Sequence, residues 1–317
     1  MASRFARSPT KNPCVISMLV ILSAGMVAAQ QADWYPSRWG AEDVLGAANR
    51  LTEAKVLEAK SLMRSGQVYE LARIYEPGMP MFGTRHFSLR VPYPTGPLGS
   101  NETTFHESII SGELGQIGTK FDGLGHIGIG DLYYNGSSRH DFATSEGLTS
   151  FGMEQVPPIV TRGVLIDVAR FKGVERLDAG YEVTAADLRG ALQSQGVDIG
   201  PGDVVLLHTG WGTLWQDPTQ YMASWPGIGL EAAQFLVDQE IVMVGGDTQG
   251  TEVQPNPDPA LAFPVHQLLL TKNGIYNLEN LATEVLAADQ VYEFAFFYAP
   301  LPLKGSPGSP GNPLAIR

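Results

Sequence analysis

Gln116-Ile117-Gly118-Thr119-Lys120-Phe121-Asp122-Gly123-Leu124-Gly125-His126 gathers an amide, an amine, a carboxylate and an imidazole into eleven residues between glycines. An imidazole titrates near pH 6.5 when unperturbed, so His126 has the chemistry to take a proton at neutral pH and return it to a leaving group. Lys120 either brings a positive charge that pairs with Asp122 or stabilises a developing oxyanion, or points outward to solvent. The other histidines are His86, His106, His140, His208 and His266. His106 and His140 read as structural, and His208, closing the run Leu206-Leu207-His208, lines a pocket or is simply buried there. A serine triad is rejected, because no Gly-x-Ser-x-Gly elbow is present.

These residues need a scaffold, and the chain alternates strand and helix patterns in a way that implies an α/β domain. Thr52 followed by Glu53 to Met63 reads as a capped helix ending near Gly66, and Val68 to Tyr75 as a strand. Residues 76–99 are rich in Pro and Gly and read as a long irregular loop, a candidate lid, with Phe105 to Ile110 a strand leading into the motif. Arg162 to Val168, Val204 to His208 and Ile241 to Val244 are short apolar runs typical of buried strands. Ala185 to Gln195, after the cap Thr184, and Gly229 to Asp238 are helical in pattern. Residues 304–313 are Gly/Pro-rich, either a flexible tail or a structured loop.

The motif resembles the signature of the metal-dependent cyclase family, which includes bacterial kynurenine formamidases and reads His-x-Gly-Thr-His-x-Asp-x-x-x-His. Gly118, Thr119, Asp122 and His126 match, whereas Gln116 and Lys120 stand in place of the two histidines. A second block, Phe263-Pro264-Val265-His266 with Asn277-Leu278-Glu279, resembles the family's other ligand segment. Gly163 to Asp167, Gly202 to Leu206, Thr209-Gly210-Trp211 and Gly246-Asp247-Thr248 extend the similarity over most of residues 35–317. The glutamine-bearing motif also resembles the branch that includes trans-dienelactone hydrolase, although that branch has glutamine where this chain has Lys120.

The resemblance implies a swivelling β/β/α cyclase-like fold, a mixed sheet flanked by helices, in one domain over residues 30–317 that assembles as a dimer or tetramer. It implies a hydrolase that directs activated water at the carbonyl of a small amide, formamide, ester or lactone, with His126 as acid/base. Arylformamidase activity is the default that the resemblance implies, with lactone opening or a non-catalytic small-molecule-binding relative as the alternatives. A lysine inside a two-metal site disfavours one of the ions, so the expectation is a single zinc or manganese ion held by Asp122, His266 and Glu279, with Gln116 a weak amide ligand and Lys120 where a second cation would lie. Trp34, Trp39, Phe82, His86, His208 and Trp211 are candidate pocket residues.

Composition sets the remaining bounds. The 317 residues are 44% hydrophobic and 17% charged, ordinary for a globular chain with a large core. Arg4, Arg7 and Lys11, then the apolar run Val15 to Val27 and small residues before Gln30, have the layout of a secretory leader over residues 1–29. A membrane anchor is less favoured, since the run falls short of roughly 20 residues. Cleavage would remove the single cysteine, Cys14, and three cations, taking the net charge from -12 to -15. A secreted or periplasmic protein is expected, with a small-molecule substrate, no nucleic-acid partner and no membrane association once cleaved.

Overall fold

Strands apolar on both faces must be covered on both sides, so the runs Gly163-Val164-Leu165-Ile166, Val204-Val205-Leu206-Leu207 and Met243-Val244 belong in the middle of a sheet. The computed structural model of the chain, which describes residues 1–2 and 34–317, places them there. Beyond its first two residues, the expected leader lies outside the described residues.

Nine strands make the sheet: β1 (Val68–Glu70), β2 (Lys120–Asp122), β3 (Ile159–Asp167), β4 (Val204–His208), β5 (Met243–Gly246), β6 (Tyr276–Glu279), β7 (Glu293–Tyr298), β8 (Gly308–Pro310) and β9 (Leu314–Ile316). Their order is β1-β9-β7-β3-β4-β5-β6-β2-β8. The run from β3 to β6 is parallel, and antiparallel strands extend it on both sides. This is the expected mixed sheet. Helices α1 (Glu53–Ser61), α2 (Ala185–Gln195) and α3 (Leu230–Asp238) flank it. Thr52 and Thr184 are caps as expected: Thr52 accepts from Lys55 N on α1, and Thr184 caps α2, where Asp187 completes a capping box. Among the described residues no helix is long and apolar enough to cross a membrane.

Three expectations need correction. The strand from Val68 stops at Glu70, and Leu71 N instead donates to Pro313 O. Residues 76–99 are not wholly irregular: Phe87–Arg90 pairs with Ile109–Gly112, and Thr95–Leu98 pairs with Thr103–Phe105. Those hairpins also break the expected strand from Phe105 to Ile110. Their side chains are mostly exposed, so burial gave no periodic signal to read. Of the two readings of residues 304–313, the structured one holds, because β8 forms the sheet edge beside β2.

Candidate metal centre

The site is built by a register. Successive side chains on a strand alternate faces, so Lys120 and Asp122 share one face of β2 while Phe121 takes the other. Phe121 is fully buried between Tyr276 and Tyr298, with ring centroids 5.0 and 5.2 Å away. Burying a phenylalanine contributes about 1.5–3 kcal/mol, so the apolar face fixes which way the polar face looks. In the antiparallel pairing of β2 with β6, Lys120 lies opposite Glu279 and Asp122 opposite Asn277. Gly118 makes the entry possible: its φ is +60°, and a Cβ there would lie 2.6 Å from the Tyr75 ring.

Lys120, Asp122 and Glu279 are all buried, and the lysine bridges the two acids. Its Nζ donates to Asp122 Oδ1 at 2.8 Å and to Glu279 Oε2 at 2.7 Å. Of the two readings of Lys120, the solvent-facing one is therefore excluded. Burial works against its charge, but Asp122 and Glu279 outweigh that and raise its pKa. Asp122 is likewise held well below the usual carboxylate range: burial opposes ionisation, and the Lys120 charge wins.

His266 completes the centre from a different element. Pro264 opens the short helical turn Pro264–His266, a position where its fixed φ suits the first residue. His266 Nε2 lies 3.1 Å from Glu279 Oε1 and 3.8 Å from Asp122 Oδ2, and its Nδ1 bonds Glu252 Oε1. Burial disfavours the charged ring, yet the bonds to Glu252 and Glu279 raise its pKa to about 10. Asn277 Nδ2 donates to Glu279 Oε1 at 2.8 Å and to Asp122 Oδ2 at 3.2 Å, and Gln249 Nε2 donates to Glu279 Oε2 at 3.2 Å.

Asp122, His266 and Glu279 each offer a ligand atom, all within 4.8 Å of one another. Charge decides whether a cation fits. Asp122, Glu252 and Glu279 are three buried acids, and Lys120 balances one of them. One divalent ion would neutralise the remaining two and substitute for the proton on His266 Nε2, leaving Nδ1–H on Glu252 to orient the ring. The donor set therefore fits one divalent ion.

His126 Nε2 is 3.6 Å from Asp122 Oδ1. Its pKa is not near the ordinary value: burial pushes it down to about 4, against the pull of Asp122, so the ring is neutral at pH 7. With Lys120, His266 and Glu279 it lines a cavity of about 190 Å³ walled by Phe82, Ile127, Trp225 and Phe263.

The other candidates fall elsewhere. Gln116 makes no hydrogen bond through its side-chain amide, and a Cβ on Gly308 would lie 2.7 Å from its Nε2, which places that amide against β8. Trp39 stacks under Arg50, at 4.8 Å, and Trp34 packs edge-on to Tyr35. His86 is exposed beside Glu113. His208 bonds Thr283 Oγ1 at 2.7 Å, and Trp211 donates to Tyr221 O in the core. Of the candidate pocket residues, Phe82 lines the cavity. Glu252, Asn277 and Gln249 were not foreseen. Asn277 was within reach, since the two-residue alternation puts it on the face of Glu279, whereas Glu252 sits on a loop with no periodicity to mark it.

The Cyclase family model matches residues 69–253. A solved structure described as a novel cyclase is 32% identical, covering 88% of this chain and 96% of its own, with a TM-score of 0.79. Isatin hydrolase A from Ralstonia solanacearum is 23% identical over 84% of this chain and 98% of its own, with a TM-score of 0.61. A predicted metal-dependent hydrolase from Bacillus stearothermophilus is 20% identical over 80% of this chain and 98% of its own, with a TM-score of 0.53. Among curated proteins the sequence has no significant match.

Proposed function

Since this chain belongs to the cyclase family, we propose that it is a hydrolase that directs water at the carbonyl carbon of a small amide, formamide, ester or lactone and breaks its acyl C–N or C–O bond. The observation that carries the reading is the convergence of Asp122, His266 and Glu279, with His266, Glu279 and a neutral His126 lining one cavity. Similarity to an isatin hydrolase supports it, isatin being a cyclic amide.

Asp122, His266 and Glu279 would hold one divalent ion, which supplies Lewis acidity and lowers the pKa of water. Neutral His126 takes the proton from the attacking water, and Asp122 stabilises the imidazolium that forms. As the C–N or C–O bond breaks, His126 returns that proton to the departing nitrogen or oxygen, leaving an acid and an amine or alcohol. Lys120 Nζ, anchored by two carboxylates at the cavity floor, sets a fixed positive charge near the oxygen that becomes negative.

One observation favours a second reading. Lys120 satisfies Asp122 and Glu279 without any guest, as a binding protein that had lost turnover would also display. Elemental mass spectrometry of the purified chain, with Asp122→Ala alongside, separates the two. The hydrolase reading expects about one divalent ion per chain, lost in the variant, and turnover of isatin, formanilide or dihydrocoumarin. That turnover should fall about 10²- to 10⁴-fold in His126→Ala while the ion stays bound. A chain that takes up no zinc or manganese and opens none of these compounds is the binding protein.

A further inference from the structure

The cavity's chemistry changes from floor to rim. At the floor, Lys120 is neutralised by Asp122 and Glu279, and His266 by Glu252 and Glu279. Arg85, also lining the cavity, has no such partner. A guanidinium carries five N–H donors. In Arg85 one of them, on Nη1, donates to the main-chain oxygen of Gln116 at 2.9 Å, and no carboxylate among the described residues pairs with the rest. The guanidinium sits over the Phe82 ring, 5.6 Å from its centroid. This permanent cation stands at the mouth of a cleft in a chain whose net charge is -12, so it marks a local reversal of a field that otherwise repels anions.

Between rim and floor runs a line of rings. Phe82 meets Phe263 edge-on at 6.2 Å, and Phe263 meets His266 edge-on at 5.5 Å. Phe263 holds this place at a φ of +51°, a left-handed conformation that a bulky residue rarely adopts. Strain of this kind persists where a side chain's direction matters. The cavity of about 190 Å³ is smaller than the roughly 300–1,000 Å³ of pockets for drug-sized ligands, so its guest has room for one ring and an acyl group.

We propose that the substrate is a small, flat, unsaturated or aromatic acyl compound bearing a carboxylate, which Arg85 pairs at the rim while the ring lies along Phe82 and Phe263 and the scissile carbonyl reaches Lys120 and His126. The inference rests on the hydrolase reading for the last of these placements. Arg85 is thereby a specificity residue. Its planar fork matches a carboxylate bidentately, and Gln116, a residue of the motif itself, fixes the fork through its main-chain oxygen.

Calorimetric titration with benzoate and benzamide, matched in shape and different in charge, tests this. Wild-type protein should bind benzoate at least about tenfold more tightly than benzamide, the scale of a charge-assisted pair. Arg85→Met, which keeps the stem, should erase the preference, and Arg85→Lys, which keeps charge without the fork, should fall between. Equal affinity for both probes in wild type would overturn the proposal. So would a preference surviving in Arg85→Met, because the anion would then sit on the buried cations. Binding and turnover fail separately: benzoate held through Arg85 by a chain that opens no carbonyl sinks the hydrolase alone, and turnover of neutral formanilide without benzoate discrimination sinks this inference alone.

Discussion

Lys120 shows how one side chain sets the terms for its neighbours. Its ammonium donates to both oxygens of Asp122, at 2.8 and 3.0 Å, and to Oε2 of Glu279, leaving Glu279 Oε1 turned toward His266 Nε2. A buried lysine is costly unless matched, and two carboxylates at hydrogen-bond distance match it. Glu252 does the corresponding work for His266, holding the ring through Nδ1 while its other oxygen accepts from Val265 N at 2.9 Å. Glu252→Gln keeps the shape and removes the charge. It should weaken zinc or manganese binding by about 10- to 100-fold, read by competition against a chromogenic chelator. Unchanged affinity would deny Glu252 this orienting part. Asp122, His126, His266 and Glu279 could be picked out by type and by resemblance. Glu252 could not, because what makes it matter is a contact with a residue fourteen positions further along the chain.

Elements carry the parts of the site that local chemistry can encode. The capping box of α2 is legible in Thr184 and Asp187, and the structure supplies the bonds: Asp187 N donates to Thr184 Oγ1, and Thr184 N donates to Asp187 Oδ2. Burial opposes the charge on Asp187, but the Lys172 ammonium at 2.6 Å and the Thr184 main-chain bond lower its pKa. A lowered native pKa stabilises the fold above the unfolded value of about 3.9, and that support is lost as the pH falls through the lower native value. Asp187→Asn should therefore cost about 1 kcal/mol at pH 7 in urea unfolding, with a gap that narrows below about pH 4. A gap independent of pH would mean that the charge contributes nothing. The pairing of β2 with β6 is different in kind. Each strand's alternation is readable alone, but setting Lys120 opposite Glu279 depends on a partner more than 150 residues away.

At the scale of the whole molecule, the C-terminal segment closes the structure at two places. β8 borders β2, and β9 lies between β1 and β7, with Ala315 fully buried. Deleting residues 306–317 should lower the melting midpoint by more than about 10 °C or abolish cooperative unfolding in circular dichroism, whereas a disposable tail would cost no more than about 2 °C. By itself the sequence determined the alternation of buried strands and capped helices and the polar motif with its matching second block. These follow from side-chain periodicity, cap chemistry and residue type, all properties of neighbouring residues. Tertiary structure alone decided that Lys120 turns inward, that Gln116 does not bond the acids, that burial depresses His126, that Glu252 backs His266, and that residues 304–313 are a sheet edge. Each of these depends on desolvation and on partners distant in the chain, and charge energies change most steeply with the burial and distance that only the folded chain fixes.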